Sequence, residues 1–213
     1  MRSDVDESFG VVTGKIAGFD FGLKTFLTAS DLTTVESPLF FNQFRSELKA
    51  ANKKISSKRK GSNNWYKAKD NLNRVYKRIS QKRKDWFWKL AHELTNKYDV
   101  LIFEDLNLKG MKKLWGRKVS DLSFSTFLEI LETVANNKGK IIHFIDRFYP
   151  SSKTCFDCGY HNQELTLKDR NWDCPGCGSK LDRDWNAARN IKREGASSLK
   201  VGDVRRSLSA IAV

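Results

Sequence analysis

Four cysteines fall in two pairs, CFDCG at 155–159 and CPGCG at 174–178, with 15 residues between the pairs and no other cysteine in the chain. Zinc is held by thiolates at tetrahedral corners, and a C-x-x-C turn presents two of them from one knuckle. Cys155, Cys158, Cys174 and Cys177 are therefore read as ligands of one Zn2+. Four thiolates leave no open position for a substrate, so the role is structural. Gly159 and Gly178, each directly after the second cysteine of a pair, suit the tight backbone turn around a metal. Two disulfides are the alternative, and confinement of every cysteine to paired knuckles in a chain placed in the cytoplasm argues against them.

A second set of groups is acidic. Asp20 lies inside the apolar run KIAGFDF, Glu104 and Asp105 end the run DVLIFEDL, and Asp182 and Asp184 precede WNAARNI. An ionised carboxylate in apolar surroundings is costly unless a cation accompanies it. Each acid has a simpler explanation alone: Asp184 as a helix N-cap, Asp20 paired with Lys24, Glu104 at the exit of a strand. Together, gathered at one edge of a sheet, they fit a site for two Mg2+ ions about 4 Å apart. Such a pair clamps a phosphodiester, activates an attacking water and stabilises the leaving 3′ oxygen.

The elements that would position these groups follow from periodicity. Residues 15–21 fit a buried strand, and LKTFLTAS and LTTVESP add two more, giving an antiparallel meander. Phe41, Phe44, Leu48, Ala51 and Ile55 step as one helix face does, KRKGSNN breaks the pattern, and Trp65, Leu72, Ile79 and Trp86 recur every seven residues. Residues 41–97 thus read as a helical hairpin. The run at 99–106 predicts a central strand covered on both faces, 121–137 a helix, and 140–146 another buried strand. Strands, helices, strand, helix, strand define an α/β fold. The segment from Gly195 to Val213 reads as a loose tail.

The formal charge is +14, and residues 45–89 alone hold 16 Lys or Arg against Glu47, Asp70 and Asp85. That segment is expected to lie on nucleic acid, with binding that weakens steeply in salt. The candidate contacts are Lys53, Lys54, Lys58, Arg59 and Lys60 at the break, and Arg74, Lys77, Arg78, Lys82, Arg83 and Lys84 beyond it. Trp65 and Trp86 lie on the apolar stripe and read as core, while Trp88 lies off it and could stack on a base. Trp172 and Trp185 read as packing for the cysteine module and the last helix, and His143 as a satisfied core residue. No run of 18 apolar residues is present and residues 1–9 are too polar for a signal peptide, so a cytoplasmic protein with no membrane partner is expected.

GFDFGLKTF resembles the first RuvC motif, FEDLNLKGM the second and DRDWNAARNI the third, with a zinc ribbon just before the third, as in the TnpB (OrfB) proteins of insertion sequences. Type V CRISPR effectors are relatives of that family. The resemblance runs from about Lys15 to Arg206 and implies an RNase H-like (RuvC) mixed sheet with the basic hairpin inserted between the first two motifs. It divides the chain into a short N-terminal segment (1–14), the nuclease domain (15–150), the ribbon (151–180), the third-motif helix (181–194) and the tail (195–213). It implies an RNA-guided, Mg2+-dependent endodeoxyribonuclease, with Mn2+ as a substitute metal, in which Asp20, Glu104 and Asp184 are catalytic and Asp182 supports them. Asp105, of opposite strand parity to Glu104, should point away. DNA and a guide RNA or RNA–DNA heteroduplex are the implied partners. Family members carry a longer portion before the first motif, so guide and target recognition are expected from a separate N-terminal portion or a full-length copy. A non-enzymatic nucleic-acid-binding relative is the alternative function; a Holliday-junction resolvase fits the acids but not the ribbon's position.

Overall fold

The computed structural model describes residues 13–106, 122–166 and 168–199. Three strands open it, β1 (Ile16–Phe21), β2 (Thr25–Ala29) and β3 (Thr34–Glu36). Three helices follow: a single turn α1 (Phe40–Gln43), α2 (Arg45–Ser56) and the 35-residue α3 (Asn63–Lys97). Then come β4 (Val100–Glu104), α4 (Phe124–Asn137), β5 (Ile141–Ile145), the short ribbon strands β6 (Asn171–Asp173) and β7 (Lys180–Asp182), and α5 (Arg183–Ser198).

The main sheet has the order β3-β2-β1-β4-β5. The first three strands form the expected antiparallel meander, and β1, β4 and β5 run parallel. Gly18 pairs with Ile102, and Ile102 with His143, so one row of residues crosses three strands. Because side chains alternate along a strand, Gly18, Asp20, Ile102 and Glu104 share one face, while Phe19, Phe21, Leu101 and Phe103 share the other. The second face carries the larger core. Phe19 stacks on Phe103 at 5.1 Å between ring centres, and Phe87, Leu90 and Leu94 of α3 join Phe127 and Leu131 of α4 over them. α3 is about 52 Å long at 1.5 Å per residue, more than the sheet can cover. Its first half packs Val75 and Ile79 against Phe40 and Phe44 instead, completing the hairpin.

The first face is closed by α5. At Gly18 an added Cβ would meet the Ala188 carbonyl oxygen and the Lys192 nitrogen, both at 2.4 Å, and at Gly195 one would meet Ile102 Cγ2 at 2.3 Å. The helix therefore lies directly on the backbone row. Trp185 Nε1 donates to the Ser30 carbonyl at 3.1 Å near one end, and Ser198 Oγ is 2.8 Å from His143 Nε2 at the other. His143 is thus satisfied by the helix end.

Two expectations are corrected. The helix continues through Gly195 to Ser198, so the expected loose tail cannot begin at 195; residues 200–213 lie outside the described ones. Among the described residues the strand at 141–145 is an edge strand rather than a buried one, paired there with β4 alone, and Ile141, Ile142 and His143 are only half-buried.

Gly18→Ala should lower stability by about 1–3 kcal/mol in chemical denaturation, since backbone, not a flexible side chain, occupies the space. A variant as stable as the parent would show that the helix does not approach that closely.

Candidate metal centres and nucleic-acid interface

The four cysteines come together. All four Sγ atoms lie within 4.8 Å of one another, with Cys155 to Cys177 at 3.8 Å and Cys158 to Cys174 at 3.5 Å. Tetrahedral Zn–S bonds of about 2.3 Å imply S–S distances of about 3.8 Å, so the cluster could hold a zinc ion. None of the four is in a disulfide. Gly159 and Gly178 take φ +79° and +75°, left-handed values that let each knuckle fold back on itself. Ser179, whose Oγ is 3.2 Å from Cys177 Sγ, pulls that thiol down to about 6, whereas burial raises Cys155 and burial with the neighbouring thiols pushes Cys158 up to about 12, so metal binding would have to displace their protons. Trp172 is buried beside Leu165, Leu181 and the two inner cysteines, as a packing role requires.

The ribbon is bolted to α5 by two fully buried asparagines. Asn186 accepts from the Phe156 N–H at 2.9 Å and donates to the Thr154 carbonyl at 2.8 Å. Asn190 donates to the Ser151 and Thr154 carbonyls at 2.8 and 2.6 Å, and Arg193 joins Asn190 Oδ1 to the Phe156 carbonyl. Neither asparagine stands out in the sequence as an anchor. Ala187 and Ala188 are fully buried and let the helix sit close to β1, while Asn186 links the first cysteine knuckle to the helix.

The same helix carries the acidic groups. Asp182 is its N-cap, accepting from the Trp185 N–H at 2.8 Å, so the capping role considered for Asp184 belongs to Asp182. Asp184 is left in the first turn, four residues before the Ala188 that sits on Gly18, and Asp20 stands two residues beyond Gly18 on that face. Arg170, from the ribbon, and Arg183, at 2.9 Å, pair with the Asp184 carboxylate. Asp20 is raised well above the usual carboxylate range, by burial first and then by the nearby Asp184 and Glu104, against partial relief from Arg183 and Arg170. Glu104 is pushed up to about 7 by burial. Asp20 thus senses both other acids. Among the described residues, however, the four cysteines alone form a group within metal-ligand spacing. Asp105 leaves the site: Arg147 Nε donates to its Oδ2 at 3.0 Å, on the face away from Glu104.

The basic positions are placed along α2, α3 and the turn between them, all exposed except the half-buried Arg83. Three engage the hairpin itself. Arg78 pairs with Glu47, the Arg78 guanidinium and Lys82 Nζ lie 5.5 and 5.4 Å from the Phe44 ring, and Arg83 sits over Phe41 and donates to Ser123 at 2.5 Å. Trp86 packs at 5.0 Å from Phe26, whereas Trp65 is half-buried under Lys69 and Trp88 is 41% exposed.

Among the described residues, a mixed five-stranded sheet with acids along one face, a closing helix and a ribbon-like cysteine cluster define a mixed α/β protein. Comparison with known proteins supplies the family. The IS605 OrfB family model, described as "Probable transposase", matches residues 7–114, 108 of the 213 residues, and the chain belongs to that family. A second model, "Cas12f1-like, TNB domain", matches residues 124–191, from α4 through the ribbon into α5. The chain is 34% identical over 193 residues to a Streptomyces pristinaespiralis protein named "Putative RNA-guided DNA endonuclease", and 30% identical over 198 residues to the TnpB-like protein L79 of Acanthamoeba polyphaga mimivirus. Those alignments take in 90% and 84% of this chain but 48% and 37% of the relatives, so the chain spans half or less of their length. In fold it is similar to Cas12f1 in a structure titled as a complex with sgRNA and target DNA, with a TM-score of 0.61, 19% identity, and coverage of 83% of this chain and 49% of that one.

Two predictions follow from the packing and the charges. Asn190→Ala should leave the Ser151 carbonyl with only the long 3.5 Å contact from Asn186, cost about 1–3 kcal/mol, and raise the rate at which protease cuts residues 151–182. Stripping zinc should do the same, and a ribbon whose cleavage rate neither change alters would show that it does not depend on that anchorage. In the absence of divalent metal, folded Glu104 keeps a proton that the unfolded chain releases, so its contribution makes stability fall as pH rises from the ordinary 4.5 to about 7. Glu104→Gln should therefore flatten the decline in melting temperature between about pH 5 and about pH 8, and identical slopes in the two proteins would refute burial of that carboxyl.

Proposed function

We propose that this chain is the catalytic portion of a TnpB-like nuclease that hydrolyses DNA phosphodiester bonds at Asp20, Glu104 and Asp184. The observation that carries this reading is the convergence of the three acids on the α5 side of the sheet, where Asp20 is electrostatically coupled to the other two. Three carboxylates so gathered raise one another's proton affinity, and a divalent cation relieves that repulsion. The donor set fits Mg2+, which prefers oxygen ligands, better than a softer ion. Asp20, Glu104 and Asp184 would hold it, and bound there it would supply Lewis acidity at the phosphate and an activated water.

The chain's own groups divide the remaining work. Asp20 and Glu104 are fixed by adjacent parallel strands and stand at one level of the sheet, because Phe19 and Phe103 are in register directly before them. Asp184 is delivered by a helix whose position is set at Gly18. Asp182 supports the site by holding the first turn of that helix rather than by offering an oxygen to metal. Arg170 and Arg183 balance the charge of Asp184 and must yield part of that pairing when a cation is held. The exposed cations of α2 and α3 give a nucleic-acid strand its electrostatic track. DNA and a guide RNA are the proposed partners, by likeness to relatives whose names and structure title specify them.

Asp184→Ala should lower Mg2+-dependent cleavage by at least about 100-fold while changing DNA affinity less than about threefold, measured on single- and double-stranded DNA with and without co-purified RNA. Cleavage that survives the substitution would remove Asp184 from the site. Binding by the parent chain without cleavage under every condition would favour a regulatory nucleic-acid-binding protein instead.

A further inference from the structure

Phe148 is the most exposed large apolar side chain among the described residues, at 86%, with Leu32 next at 64%. Its position is not that of a slack loop. The chain leaves β5 at Ile145, which is paired with Glu104, and Phe148 lies three residues further, within roughly 10 Å of chain reach from the carboxylate edge. Its backbone is tied down, since the Phe148 N–H donates to Asp146 Oδ1 at 2.7 Å and the Tyr149 N–H to the Asp146 carbonyl at 3.1 Å. Its neighbours are drawn to opposite faces of the sheet. Arg147 reaches Asp105 on the α4 face, and Tyr149 packs with Val100, Ile102 and Ile191 under α5. Phe148 is left standing between them, a ring turned to solvent on an anchored backbone.

We propose that Phe148 is a stacking platform for one unpaired base of a nucleic-acid strand lying along the carboxylate edge; this rests on the reading that the edge faces nucleic acid. A base is the occupant that fits. A protein surface would need a contiguous apolar patch, whereas Asp146, Arg147 and Pro150 around this ring are exposed and Tyr149 is turned inward. A single flat ring in polar surroundings matches the π-face of one base, whichever base it is. The ring fixes where along the strand the backbone crosses the acids, and so acts as a positioning residue.

The test uses the full chain without added Mg2+ and a set of single-stranded DNA oligonucleotides carrying 2-aminopurine at successive positions. Binding should quench the fluorescence at one position. Phe148→Ala should abolish that quenching and weaken binding about tenfold, Phe148→Leu should behave as Phe148→Ala does, and Phe148→Trp should keep both signals. Equal quenching and affinity in Phe148→Ala and the parent would overturn the proposal, as would a Phe148→Leu protein that binds like the parent or a parent that binds no single strand. The quenching is read without cleavage. A chain that quenches through Phe148 yet never cuts when Mg2+ is supplied would refute the nuclease reading alone, and a chain that cuts normally with Phe148→Ala would refute the platform alone. The circular dichroism and melting temperature of all three variants should match the parent, because an exposed ring contributes little to packing.

Discussion

Contact between α5 and the backbone of β1 at Gly18 is the constraint on which the rest of the molecule depends. A helix normally rides on the side chains of a sheet, but here Ala188 and Lys192 meet the strand at Gly18, which offers none. The absence is matched on the helix, where Gly195 makes room for Ile102. Two glycines on opposite partners thus fix both the height and the direction of one helix. Its first turn can carry a carboxylate towards Asp20 only because the remainder cannot lift away. The aromatic core on the opposite face makes the sheet stiff enough for that fit to matter.

The ribbon has a place in the same constraint. It is small, with a cluster of five buried hydrophobic residues among those described, and leans on α5 through hydrogen bonds rather than through a shared apolar core. Asparagine suits this because one side chain donates and accepts at once, answering an N–H and a carbonyl of the first knuckle together. The module in turn returns Arg170 to Asp184. Order in the cysteine cluster and order at the acids are therefore joined through a single helix, one turn of which faces each.

Much of this was legible in the sequence, and the part that was not has physical reasons. The cysteine spacing and the acids closing apolar runs are local patterns whose chemistry is written in a few residues. Strand parity separated Glu104 from Asp105 for the same reason. Asn186 and Asn190 were opaque because an asparagine in a helix reads only as a polar residue, and the carbonyls that it serves lie more than 30 residues away. The edge position of β5 was hidden because KIIHFID is as apolar as a central strand, and only topology reveals which strand has one neighbour. Gly195 read as the start of a tail, since a glycine's reason for being in a helix is the side chain that it meets on another element. The assignment of the cap to Asp182 rather than Asp184 depended on where the helix begins, a boundary that sequence leaves open by a residue or two.

The order in which the acids occur along the chain has a consequence for synthesis. Asp20 and Glu104 belong to strands that can pair once β4 has left the ribosome, and the basic hairpin between them is complete by then. Asp184 lies 80 positions after Glu104 and is carried by the element that closes the sheet's open face. At about 5–20 residues per second the interval is about 4 to 16 seconds. During it the nascent chain holds its positive charge and two of its acids, with the third still unmade. The last helix therefore works as a time lock: the positive charge of the hairpin is in place, by the length of the ribbon and its approaches, before the three acids can come together.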